Sequence, residues 1–293
     1  MVLFSRPHYS DSWMKNFVFR VIGYPHVGTR IRGNAVFKLV NFPKDAKVLE
    51  IGSGSGFFSF ELRKRGYAVS STDPLIGITT KDIDRLHTIF QKAGYQFQFT
   101  KGDARKLPFK ANTFDAIVIA DVIEHIKEED KVMQEMRRVL KLGGVFVAST
   151  PSTKFHEGKF KPFFRWFKDH TFLGRLPVWN EKDIYKEKMM QLKGHLREYT
   201  YDDWKRLCDN HGFVIEQAKK EYKFFGALAV ELHHTFNFVH RYASVFFFLL
   251  YPFTFLDKLI PCSSTGIALR CRKDLKLTNH ISPTQFCYRQ QPL

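Results

Sequence analysis

The sequence predicts an open Rossmann-like α/β sheet, mostly parallel with an antiparallel last strand and helices on both faces. A basic lid and an apolar helical insert are expected to sit on that frame. Three observations predict it. Strand and helix signals alternate at short spacing through residues 48–150, as a parallel sheet covered on both faces requires. The glycine-rich stretch EIGSGSG (50–56) joins the first strand to the first helix. Asp73, Asp103 and Asp121 stand at the ends of three consecutive strands.

The elements follow in order. KVLEIG (47–52) is a short apolar run ending in glycine, hence a buried strand. FFSFELRKRG (57–66) reads as a helix stopped by Gly66, and YAVSSTD (67–73) as the second strand. A helix near 80–93 precedes a third strand over 95–103, and FDAIVIAD (114–121) is the fourth and most apolar strand. In EEDKVMQEMRRVLKLGG (128–144), Val132, Met136, Val139 and Leu140 share one helical face. Acids fill the first turn, Arg137, Arg138 and Lys141 lie near the end, and Gly143 and Gly144 stop the helix. VFVAST (145–150) is the fifth strand. Thr200, with Asp203 three residues on, opens a capped helix over 200–212. Strands over 212–220 and 266–273 complete the sheet.

These readings divide the chain into a helical segment (1–46), a core (47–150), a basic aromatic lid (151–198), the second half of the sheet (199–273) and a tail (274–293). The last sheet segment contains the insert at about 221–265. The formal charge is +17. Residues 1–47 hold a surplus of 6 positive charges and residues 151–198 a surplus of 5, against only 2 in residues 48–150. A basic periphery around a nearly neutral core attracts phosphates of lipid headgroups or nucleic acid. Four cysteines without a CxxC pair exclude a zinc-finger pattern, and a chain of this size has no need of a disulfide framework. No secretory h-region opens the sequence. The chemistry fits a reducing cytoplasm.

The glycine loop differs from the dinucleotide GxGxxG, because its third glycine comes one residue early, and it lacks the GK[ST] of a phosphate-binding P-loop. Pyrophosphate is thereby disfavoured. Asp73 lies where a carboxylate accepts ribose hydroxyls, Asp103 near where a base would lie, and Asp121 on the same crevice. Such a set fits a nucleoside with a cationic tail.

Residues 47–150 resemble the class I S-adenosylmethionine-dependent methyltransferases of the type 11 group. EIGSGSG, GDARKLPF (102–109) and FDAIVIADVIEHI (114–126) look like that family's motifs, and GHLREYTYDDWKRLCDNHGF (194–213) is similar to its segment before the sixth strand. The resemblance implies S-adenosylmethionine as cofactor. Glu50, Gly52, Ser53, Gly54 and Gly56 would then serve its methionine part, Asp73 its ribose, and Asp103 with Ala104 its adenine. Ser53 departs from the Cys or Ala of many members, a tolerated change.

A sulfonium is already a strong methyl donor, so alignment of the acceptor dominates catalysis. A hydroxyl acceptor also gains from a general base, for which histidine is suited. His125 is the expected base, and Glu124 and His125 resemble the EH pair that some quinone-pathway O-methyltransferases place beside the acceptor. His195 and Arg197 are further candidates, Arg197 for an anionic acceptor. No metal is assigned. The sequence lacks the [DN]PP[YF] motif of amino methylation, having ADVI instead, and has no cysteine placed for cytosine methylation.

The uncharged stretch ASVFFFLLYPFTFL (243–256) is shorter than the roughly 20 residues of a spanning helix and contains Pro252. It reads as an interfacial element. The expected function is O-methylation of a lipid-soluble or lipid-linked small molecule by a cytoplasmic protein lying peripherally on an anionic membrane. An RNA methyltransferase is the runner-up. A cofactor-binding, membrane-attached module without turnover is the reading of another class.

Overall fold

The computed structural model describes residues 27–54, 56–75, 79–151, 196–221 and 266–274. The expected lid, His195, the apolar insert and the tail lie outside the described residues. Five helices and seven strands make up the described part: α1 (Val27–Leu39), β1 (Lys47–Ile51), α2 (Phe57–Lys64), β2 (Ala68–Asp73), α3 (Thr80–Lys92), β3 (Gln98–Lys101), β4 (Phe114–Ala120), α4 (Glu129–Val139), β5 (Leu140–Pro151), α5 (Tyr201–Asn210), β6 (Phe213–Glu221) and β7 (Gly266–Lys273). A 3-10 turn at Ile123–His125 separates β4 from α4.

One seven-stranded sheet runs β3-β2-β1-β4-β5-β7-β6. The pairs from β3 to β5 are parallel, and β7 runs antiparallel to both β5 and β6. The architecture is therefore the Rossmann-like sheet with one reversed strand that the sequence predicts. Strand order turns back between β1 and β4, and ligands of open α/β sheets bind beyond the carboxyl ends at such a switch point.

The central strands β1 and β4 are apolar on most residues because both faces are covered, and side-chain parity sorts those residues between two cores. Leu49, Ile51, Ile117, Ile119 and Phe146 pack with Val132, Met133, Met136 and Val139 of α4 and Trp204 and Leu207 of α5. Val48, Val69, Ala116, Val118 and Val147 face the other way, onto Ala35, Val36 and Leu39 of α1 and Phe57, Phe58 and Leu62 of α2. A smaller cluster joins Phe60 of α2 to Ile83, Leu86, Ile89 and Phe90 of α3.

Two expected elements differ in extent. The helix read over 128–144 ends at Val139, and Leu140 already has extended backbone (ψ 136°) and pairs with Phe114. The turn before β4 takes the helix's last carbonyls: Asn112 N donates to Arg138 O at 2.9 Å and Thr113 N to Val139 O at 2.8 Å. Lys141 and both glycines thus belong to a β5 longer than expected, which bulges before Val145. The third strand, read over 95–103, is only Gln98–Lys101, because Phe97 leaves the ladder to bury itself against Phe90.

Candidate active site

At the carboxyl ends of β1, β2 and β4 lies a cavity of about 630 Å³. This is within the size range of small-molecule sites. Its walls include Gly52, Gly54, Thr72, Asp73, Asp103, Ala104, Asp121, Val122, His125 and Leu196.

The glycine loop forms the floor. Gly52 N and Ser53 N donate to Thr72 O at 2.8 and 3.2 Å, which seats the loop on the end of β2. Gly52 has φ +72°, and a Cβ there would come within 2.3 Å of Val122 Cγ2. Only glycine meets both demands. Gly54, at φ +46°, would direct a Cβ into nearly open space, so its bare backbone leaves room for a ligand. Asp73 closes the loop from β2: its Oδ2 accepts from Gly54 N at 3.1 Å and its Oδ1 from Leu75 N at 2.8 Å. Two backbone donors aim the carboxylate while leaving further lone pairs for hydroxyl groups.

The opposite wall is a charged bridge between two loops. Arg105 Nη2 donates to Asp103 Oδ2 at 2.6 Å, Nε reaches Oδ1 at 3.0 Å, and Nη1 donates to Glu128 Oε2 at 2.7 Å. The Arg105 fork holds the Asp103 carboxyl below the usual carboxylate range and does the same for Glu128.

Where β4 ends, Asp121 adopts φ +51°. It is ion-paired with Arg32 of α1 and accepts from Ser149 Oγ at 3.3 Å. Two turns of chemistry follow it. His125 lines the cavity, while Glu124 has its side chain fully buried behind the wall. Burial, and next the Asp121 charge, raise the Glu124 carboxyl well above its ordinary range. The segment after the lid returns to this point. Leu196 N donates to Glu124 O at 2.9 Å, Arg197 Nη2 donates to Lys127 O at 3.0 Å, and Arg197 and Tyr199 both bond the Glu129 carboxylate.

Seven residues singled out in the sequence therefore share one cavity: Gly52, Gly54, Asp73, Asp103, Ala104, Asp121 and His125. Glu50, Ser53, Gly56, Glu124 and Arg197 are not on its walls. Glu50 is buried below the loop, where Ser59 Oγ donates to it. Gly56 is the N-cap of α2 at φ +70°, without a capping side chain. Arg197 is engaged in clamping its own segment onto α4. Sequence reading missed Arg32, Arg105, Glu128 and Thr72; of these, Arg105 and Thr72 adjoin predicted acids and had a local signal.

The cavity fits a nucleoside-containing cofactor. Thr72 Oγ1, buried at the cavity wall, has no hydrogen-bond partner among the described residues, so a polar group of a ligand would find an unsatisfied partner there. Comparison with known proteins agrees. A family described as a methyltransferase domain matches residues 43–228. The ubiquinone/menaquinone biosynthesis C-methyltransferase of Cellvibrio japonicus is 30% identical over 173 residues, which are 57% of this chain and 67% of that protein. The demethylmenaquinone methyltransferase of Staphylococcus saprophyticus is 28% identical over 135 residues, 45% of this chain and 57% of its own. Phosphoethanolamine N-methyltransferase 2 of Haemonchus contortus shares the fold, with a TM-score of 0.56 at 16% identity over 88% of this chain and 56% of that one. The chain belongs to the class I S-adenosylmethionine-dependent methyltransferases.

Proposed function

We propose that this methyltransferase acts on a lipid-soluble or lipid-linked small molecule at a membrane surface, methylating a hydroxyl oxygen. The observation that carries the reading is the place of His125 on the cavity wall, beside Leu196, which is 48% exposed at the same wall. A base and an apolar contact at one mouth suit a hydroxylated, hydrophobic acceptor. One relative is named for ubiquinone and menaquinone biosynthesis and the other for demethylmenaquinone, which supports a quinone-like acceptor.

Bound S-adenosylmethionine would supply an activated methyl group. Gly52 and Gly54 would give its methionine part a close backbone, Asp73 would accept from ribose hydroxyls, and Asp103, aimed by Arg105, would take the adenine amine. His125 would accept the acceptor's hydroxyl proton as the methyl group passes from sulfur to that oxygen. Because the donor needs no covalent activation, these residues contribute by placement. The basic lid and the apolar stretch over 243–256, both outside the described residues, would bring the sheet to an anionic surface. No helix among the described residues is long and apolar enough to cross a membrane.

A second reading, transfer to carbon, is favoured by the C-methyltransferase named above. The test is methyl transfer from labelled cofactor into a membrane extract, counted in organic and aqueous phases, with the acceptor atom assigned by whether hydriodic acid, which cleaves methyl ethers and spares C-methyl groups, releases the label. Label in the organic phase on an ether oxygen is the expected result. Label in RNA, or binding without turnover, would overturn the reading.

A further inference from the structure

Glu124 has no exposed surface, and neither carboxyl oxygen has a hydrogen-bond partner among the described residues. A buried carboxylate in that position is costly, so burial favours the neutral acid. The groups facing it come from every element packed there. Asp121 lies at the end of β4, and Arg32 of α1 pairs with Asp121. His125 places its Nε2 4.0 Å from Glu124 Oε1. Tyr199, which donates to Glu129, also feels the Glu124 charge. Asp121 and His125 line the cavity, so a cation placed in it acts on this cluster at short range.

We propose that Glu124 is a positioning residue that couples proton release to the charge of the cofactor. It is protonated in the free chain and ionised while a sulfonium occupies the cavity. This rests on the cavity being the S-adenosylmethionine site. The Glu124 O–H bond breaks with its electron pair left on the carboxyl, and the proton leaves by way of His125, the group between Glu124 and the opening. Arg32 steadies the resulting carboxylate and stops the two acids from repelling each other freely. Methyl transfer from a sulfonium erases one positive charge and frees one proton from the acceptor hydroxyl. Glu124 is then poised to take that proton back through His125. The cluster thus favours the charged donor over the uncharged product of the same reaction, because only the former repays ionisation of the acid.

Calorimetric titration of the full chain with S-adenosylmethionine in two buffers of different ionisation enthalpy counts the protons released on binding. The expected result is release approaching one proton at low pH and fading at high pH. The affinity then rises by up to about tenfold per pH unit across that window. S-adenosylhomocysteine, which carries the same amine without the sulfonium, releases distinctly less. Glu124→Gln removes the release while retaining binding, and Arg32→Gln moves the window to higher pH. The wild-type data carry the test even where a variant is unstable. Binding with buffer-independent heat and a flat pH profile would overturn the inference alone, as would undiminished release from the folded Glu124→Gln variant. Absence of binding at every pH would overturn the cofactor site as well.

Discussion

At Asp73 a single carboxylate ties the glycine loop to the end of β2, through Gly54 N at 3.1 Å and Leu75 N at 2.8 Å. Hydrogen bonds to a charged group contribute about 1.5–3 kcal/mol. Asp73→Ala should therefore weaken S-adenosylmethionine binding roughly 10- to 100-fold in an equilibrium titration. Gly52 is constrained twice, by its φ of +72° and by Val122. Gly52→Ala should lower stability by at least about 1–2 kcal/mol in urea unfolding, with loss of cofactor binding. Glu124 gives a pH prediction. Its folded-state value is raised, so the native chain holds a proton that the unfolded chain gives up above the ordinary glutamate value of about 4.3. Stability thus falls as pH rises from there toward the folded-state value, and Glu124→Gln should flatten that slope in thermal melts across the range. The acids at strand ends were legible in the sequence because each follows a strand signal, most clearly Asp121 after the apolar run of β4. Arg32 was not, since no local pattern links a helix near the start of the chain to the end of β4.

Among elements, α5 follows its sequence signals closely. Thr200 and Asp203 form the reciprocal capping box, with Thr200 N donating to Asp203 Oδ2 at 2.9 Å and Asp203 N to Thr200 Oγ1 at 3.2 Å. Thr200→Ala should cost about 1 kcal/mol in chemical unfolding. The same helix carries Trp204, fully buried, whose Nε1 donates to Thr150 Oγ1 at 3.0 Å. Trp204→Ala should cost about 3–5 kcal/mol by the same measurement, since it empties the core between α5 and β5. Helix α4 shows where local signals fail. Its face of Val132, Met136 and Val139 was visible at 3.6-residue spacing, but its end was set by Asn112 and Thr113, which bind the last carbonyls from a distant turn. The glycines read as its stop serve the bulge of β5 instead. An apolar side chain can also desert a strand, as Phe97 does, when a neighbouring aromatic cluster offers deeper burial.

Over the described residues, the order of the parallel strands, which turns back between β1 and β4, places Asp73, Asp103, Asp121 and the glycine loop at one switch point. That arrangement was legible because β–α alternation admits few topologies. The link from Arg105 to Glu128 was not, because it depends on how close two loops come after the sheet has formed. The most direct measurement of the central claim is equilibrium binding of labelled S-adenosylmethionine to the wild-type chain and to Asp73→Ala. The account predicts saturable binding of one cofactor per chain, displaced by S-adenosylhomocysteine and weakened at least tenfold by the substitution. Absence of saturable binding, or equal affinity in a folded Asp73→Ala variant, would contradict it.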